Sequence, residues 1–233
     1  MKTTTQESSL AGQGMARRSF LRYAGASAVA AGVLSAAACS KIDDDIDTNS
    51  TQFYNLGTGD IAILNYAYAL EQLEAAFYTQ VVATPFSGIT SEELALLTEV
   101  RDHEIIHREF FKTALATSAI PALMPNFSSI TFSNRASVLG AAKAFEDLGV
   151  AAYNGAGYLI QNVEYLALAG KIVSVEARHA ALIRNLLGLN FADSTILDMS
   201  TGLEKSMTPA QVLPIANSFI ASGYTLSATG LGG

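Results

Sequence analysis

The chain has 233 residues, enough for one sizeable core or two small ones, and its 50% hydrophobic and 15% charged content excludes a disordered polymer. A net charge of -7 and a pI near 4.9 exclude a nucleic-acid binder, which needs a basic face. Alanine and leucine recur through the middle while strand-like alternation is scarce, so the expected class is all-α.

In chain order, residues 1–38 read as a signal peptide rather than as part of the fold. "ARRSFLRYAG" sets Arg17 and Arg18 ahead of Phe20 and Leu21, and an apolar run of small residues follows to Cys39. That run is about sixteen residues, short of the roughly twenty that a membrane span needs. The arginine pair resembles a twin-arginine export signal, which implies export of a protein already folded. Cys39, the only cysteine, directly follows "LSAAA", a stretch that resembles a bacterial lipobox with Ala36 where leucine is commoner. Two readings of it stand. A lipidated Cys39 agrees with a lone thiol that has no disulfide partner in an oxidising compartment; plain cleavage after Ala38 would leave it unmodified. Residues 39–58 then form a polar, acidic tether, or equally a solvated spacer. Residues 1–38 carry a net +3, so the mature chain stands near -10 against -7 for the whole. That charge is not drawn to anionic headgroups, so membrane attachment is expected through the lipid anchor only, in the periplasm or facing outward from the envelope.

Residues 59–188 read as four long helices. "DIAILNYAYALEQLEAAFYTQVV" predicts a helix of about 24 residues capped by Asp60, broken by "ATPFSGI". Thr90 opens a capping box with Glu93, and the second helix ends before Pro121 and Pro125. The third is capped by Ser133 or Asn134 and weakened at its end by Gly155 and Gly157. A turn near Gln161–Asn162 leads into the fourth, which stops at Gly188. Residues 189–233 read as a flexible tail rich in Ser, Thr and Gly with one short helix, in which Thr208 caps, Pro209 takes the first turn, Gln211 stands third and Pro214 kinks or interrupts. Short joints plus one longer link over 119–133 predict an antiparallel four-helix bundle of two hairpins with a crossover.

Two of the three histidines end a Glu-x-x-His: "EIIH" at 104–107 and "EARH" at 176–179. Glu makes up twelve of 233 residues, so a given His has one three positions before it about 5% of the time by chance. Residues i and i+3 share a helix face, where carboxylate and imidazole can grip one metal or two neighbouring ones. On the other two helices Glu71 precedes Tyr78 by seven residues, and Glu146 precedes Tyr153 by seven, which is two turns. The chain thus repeats Glu/Tyr then Glu-x-x-His twice, as two helical hairpins. Residues that face each other in a hairpin are equidistant from its turn. The midpoint of Glu71 and Glu104 falls between residues 87 and 88, inside the "ATPFSGI" break, and that of Glu146 and Glu176 is residue 161, at the Gln-Asn turn. Both carboxylate pairs therefore stand at matching heights. Four buried carboxylates need compensation, and two divalent cations with two neutral imidazoles supply it. Folding before export suits a chain that must load such ions in the cytoplasm.

These motifs resemble the ferritin-like superfamily, whose di-iron and di-manganese members take one Glu from each of two helices and a Glu-x-x-His from each of the other two. "ALEQLEAAFY", "RDHEIIH", "FEDLGVAAYNGA" and "VEARHAALIR" further resemble the ferritin-like family that includes plant desiccation-related proteins, over about residues 57–222. The resemblance implies that Glu71, Glu104, His107, Glu146, Glu176 and His179 are the metal-ligating and catalytic residues. Glu74 competes with Glu71 from one turn on, but the repeat matches Glu74 to Gly149 and Glu71 to Glu146, which favours Glu71. Glu74 then stands beside the ligands or faces solvent. Tyr78 and Tyr153 are core aromatics, or hydroxyls that orient a ligand carboxylate. His103 is rotated about 100° from Glu104, so it belongs at the surface or behind the ligands. Arg101, Asp102, Arg178 and Arg184 are expected in salt links outside the metal shell.

The function expected is that of an oxidoreductase with two Fe or Mn ions reacting with O₂ or peroxide, by peroxide disproportionation, peroxide reduction or Fe(II) oxidation. The alternative, of a different class, is a non-catalytic lipoprotein for stress protection or binding that keeps the bundle as a scaffold. A storage cage is disfavoured by the anchored N-terminus and the long tail. Dimers being the default for such bundles, a homodimer is the expected assembly.

Overall fold

In the computed structural model of the protein, residues 51–231 are described. The signal peptide, Cys39 and the acidic run of the tether lie outside them. Four helices carry the fold: α1 (Gly59–Ala83), α2 (Ser91–Leu115), α3 (Arg135–Ala156) and α4 (Val163–Leu186). Local chemistry sets most of their starts. Thr90 Oγ1 accepts from the Glu93 N–H at 3.1 Å while Glu93 Oε2 accepts from the Thr90 N–H at 3.3 Å, the expected capping box. Asn134 caps α3 by accepting from the Ser137 N–H, and Asn162 caps α4 by accepting from the Glu164 N–H.

Asp60 behaves differently from the expectation. The N-cap of α1 is Thr58, and Asp60 stands in the first turn. Its carboxylate accepts from the Gln161 and Asn162 N–H groups at 2.8 and 2.9 Å. It therefore pins the start of α1 to the α3–α4 turn, a tertiary duty that outcompetes capping. At the other end Arg135, at the start of α3, pairs with Glu93 at the start of α2 and donates to the Leu186 carbonyl at the end of α4. Helices α2 and α3 thus begin at one end of the bundle, so the link between them must travel its length.

That link lies along α1. Asn65 Nδ2 donates to the Leu56 and Ser118 carbonyls, and its Oδ1 accepts from the Ile120 N–H. Further on, Gln72 Oε1 accepts from the Leu123 N–H, and the Ser87 N–H donates to the Ser133 carbonyl. Buried Asn and Gln side chains here replace the backbone partners that an irregular segment lacks.

The residues after 188 pack on the bundle instead of trailing as a flexible tail. A hairpin of β2 (Leu197–Asp198) and β3 (Leu203–Glu204) is followed by α5 (Pro209–Asn217) and β4 (Tyr224–Leu226), which pairs in parallel with β1 (Gln52–Tyr54). Arg184, 1% exposed, holds this segment: it pairs with Asp147 at 2.8 Å and Asp193 at 3.2 Å and donates to Thr195 Oγ1. Pro214 does not interrupt α5, whose Val212, Leu213 and Ala216 are buried. Phe219 joins Phe145, Phe127 and Phe77 in an aromatic cluster with ring centroids 4.7–6.3 Å apart. Covered on every side, α1 is buried around nearly its whole girth, whereas α2 and α4 bury only a stripe. On that stripe, at helical spacing, stand Val100, Glu104, His107 and Phe111 of α2, and Ile172, Glu176, His179 and Ile183 of α4. The carboxylates occupy positions that packing alone would give to apolar residues.

Candidate metal centre

All six expected ligands converge in the core. Glu71, Glu104, Glu146 and Glu176 are each 0% exposed, His107 is 6% and His179 is 7%. They form two groups whose donor atoms lie within 4.8 Å of one another: Glu71, Glu104, His107 and Glu176, and then Glu104, Glu146, Glu176 and His179. Glu104 and Glu176 belong to both. His107 Nδ1 lies 2.9 Å from Glu176 Oε1, 3.4 Å from Glu71 Oε2 and 3.7 Å from Glu104 Oε2. His179 Nδ1 lies 2.7 Å from Glu104 Oε1, 3.6 Å from Glu146 Oε2 and 3.8 Å from Glu176 Oε2. The twofold repeat of the sequence has become a twofold arrangement of side chains.

Eight buried atoms here lack a hydrogen-bond partner: Glu71 Oε2, Glu146 Oε2, both oxygens of Glu104 and of Glu176, and Nδ1 of both histidines. None of these approaches meets hydrogen-bond geometry, and the closest, 2.7 Å and 2.9 Å, are ion pairs when the imidazoles carry a proton. Buried carboxylates without hydrogen bonds are costly, and six such oxygens with two imidazole nitrogens facing one space fit a pair of cations, whose place protons on the imidazoles take in the metal-free chain. The residues present are thus compatible with a dinuclear metal site, each group offering one nitrogen and three carboxylate oxygens.

The outward oxygens are satisfied in a crossed pattern. Tyr78 of α1 donates to Glu146 Oε1 of α3 at 2.6 Å, and Tyr153 of α3 donates to Glu71 Oε1 of α1 at 2.5 Å. Burial, then the neighbouring carboxylates, push both tyrosine pKa values well up, so the hydroxyls stay donors. The two sequence readings are not exclusive, for Tyr78 lies in the hydrophobic core and Tyr153 packs against it while both hydroxyls donate to these carboxylates.

The electrostatics is that of an acid cluster using protons as counter-charge. Burial and the surrounding carboxylates push Glu71 and Glu146 well above the usual range. Burial alone would depress the histidines, but the facing carboxylates win and lift His107 to about 12 and His179 to about 10. Burial also opposes ionisation of Glu104, yet the two imidazoles prevail and hold it down at about 2.

Glu74 is 3% exposed and so does not face solvent. A Cβ on Gly149 would lie 3.1 Å from Glu74 Oε1 and 4.0 Å from Glu176 Oε2. The residue that the repeat pairs with Glu74 is therefore the one whose missing side chain makes room for its carboxylate. Arg101 pairs with its neighbour Asp102, and Arg184 with Asp147 and Asp193, away from the centre. One relation escaped the sequence reading: His103 Nδ1 lies 3.3 Å from His179 Nε2. His103 and His107 stand at i and i+4 on one face, a spacing that signals this neighbourhood.

Residues 59–189 match the ferritin-like domain family. The chain belongs to that family. The match covers the four helices and every donor atom of the centre, so the ferritin-like bundle and its carboxylate–histidine core are one unit. No curated protein matches the chain. Among the described residues, no helix is long and apolar enough to cross a membrane.

Proposed function

We propose that this ferritin-like protein holds two iron or manganese ions at the shared Glu104–Glu176 centre and is an oxidoreductase acting on O₂ or peroxide. The observation that supports it is the set of eight inward donor atoms without hydrogen-bond partners. Glu71 and His107 would hold one ion and Glu146 and His179 the other, with Glu104 and Glu176, which belong to both groups, within reach of each. When bound, such ions supply electrons and Lewis acidity to an oxygen species, as in catalase-, peroxidase- or ferroxidase-type chemistry.

The chain's own residues prepare the site. Tyr78 and Tyr153 each hold one oxygen of a terminal carboxylate, which leaves the other oxygen free to ligate. Glu74, whose pKa burial and then the nearby carboxylates push well up in the metal-free chain, lies in the core next to the centre. The apolar stripes of α2 and α4 exclude bulk water above and below it. The export signal, the lipidated Cys39 and kinship with the desiccation-related branch belong to the same proposal and rest on sequence resemblance.

Metal analysis of protein purified after loading tests the reading. About two ions per chain are expected, falling below one for Glu104→Ala, because that carboxylate belongs to both groups. A stoichiometry well below two that Glu104→Ala does not lower overturns it. Protein that carries two ions yet accelerates neither peroxide loss nor Fe(II) oxidation has the metal as a structural staple, in a binding or stress-protection role.

A further inference from the structure

We propose that His103 is a positioning residue that orients His179 and not His107, so that the two metal positions, twofold-related in their ligands, differ in affinity. The inference rests on the dinuclear reading above. All three histidines of the chain meet at this one place. His103 is half-buried on α2, with its ring centroid 4.6 Å from that of His107 and 5.1 Å from that of His179. With His179 it also makes a polar contact, Nδ1 to Nε2 at 3.3 Å, whereas with His107 it makes a tilted ring contact, 43° between planes.

The tautomers follow from the geometry. Both ligand imidazoles turn Nδ1 toward the carboxylates. A cation takes the Nδ1 lone pair, so a neutral ligand imidazole must carry its hydrogen on Nε2. His179 Nε2–H then donates to His103 Nδ1, which leaves the hydrogen of His103 on its own Nε2. This contact fixes both the ring angle and the tautomer of His179, as the outer partners of metal-bound histidines do.

The repeat supplies the contrast. Glu104 corresponds to Glu176, so the counterpart of His103 is Val175, whose side chain has no acceptor. The hairpin that supplies His179 thus has no matching group to brace His107. The position served by Glu146 and His179 is the one held more firmly.

Stepwise calorimetric titration of the full chain with Mn(II) tests this, using His103→Leu, His103→Ala and His103→Asn. Wild-type protein is expected to bind two ions. His103→Leu and His103→Ala weaken one binding step about 10- to 100-fold and leave the other within about twofold, the usual effect of losing such a partner. His103→Asn, whose Oδ1 can accept from His179 Nε2, restores the affinity. Should the two apolar variants leave both steps unchanged or weaken both alike, or should His103→Asn be no better than His103→Leu, the positioning role is overturned while the metal centre stands. Wild-type protein that binds no Mn(II) removes both.

Discussion

At the scale of single residues, protons and metal ions compete for the same atoms. Without metal the folded chain holds more protons than the unfolded one, because the His107, His179, Glu71 and Glu146 pKa values are all raised. A histidine raised from 6.5 to about 10, as His179 is, adds stability below 6.5 that is lost as the pH rises toward 10. A carboxylate with a raised pKa likewise costs stability once the pH exceeds its unfolded value. Both act in one direction. Metal-free protein should therefore melt at a lower temperature at pH 9 than at pH 6, and metal loading should flatten that slope, as thermal scans in chelator and in Mn(II) would reveal. The tyrosines offer a cleaner single-atom test. Tyr78→Phe keeps the ring and strips the donor from Glu146 Oε1, so denaturant midpoints should show a loss of about 1–3 kcal/mol in the metal-loaded protein.

Among secondary-structure elements, the close approaches are backbone to backbone. Met207 donates its N–H to the Ala151 carbonyl of α3, and a Cβ on Gly155 would fall 1.9 Å from the Met207 carbonyl oxygen. Gly155 is thus a seat for the chain that crosses α3, not merely a weak end to that helix. Gly155→Ala should lift the segment and destabilise the protein by about 2 kcal/mol or more, with Gly140→Ala, where no atom lies within 4 Å, as the neutral control in the same unfolding assay. Helix ends show how far local rules reach. Thr90, Asn134 and Asn162 cap as their residue types predict, because each cap needs atoms only two or three residues away. Asp60 does not, since its partners Gln161 and Asn162 lie about a hundred residues on, where no local rule can see them.

For the molecule as a whole, the C-terminal segment is part of the core rather than an appendage. Val212, Leu213, Ile220 and Leu226 are each 5% exposed or less, and Phe219 stacks on Phe145 at 4.7 Å. Truncation after Lys205 should therefore lower the melting temperature sharply and bare an apolar face that binds a hydrophobic dye, instead of trimming a free tail. The composition of that segment, rich in Ser, Thr and Gly, hides its burial because a few large apolar side chains, widely spaced, do the packing.

The linear chain alone determined the four helices, the crossover and the six converging donors. Hairpin arithmetic and the Glu-x-x-His repeat are local in period and symmetric in the fold, so spacing suffices to state them. Only the tertiary structure decided that Asp60 ties two ends together, that the last forty-odd residues close over α1 and α3, that Glu74 lies in the space Gly149 leaves, and that His103 touches His179. Each of those is a contact between groups distant along the polypeptide, and its existence depends on how the helices are rotated against one another, which no periodicity encodes.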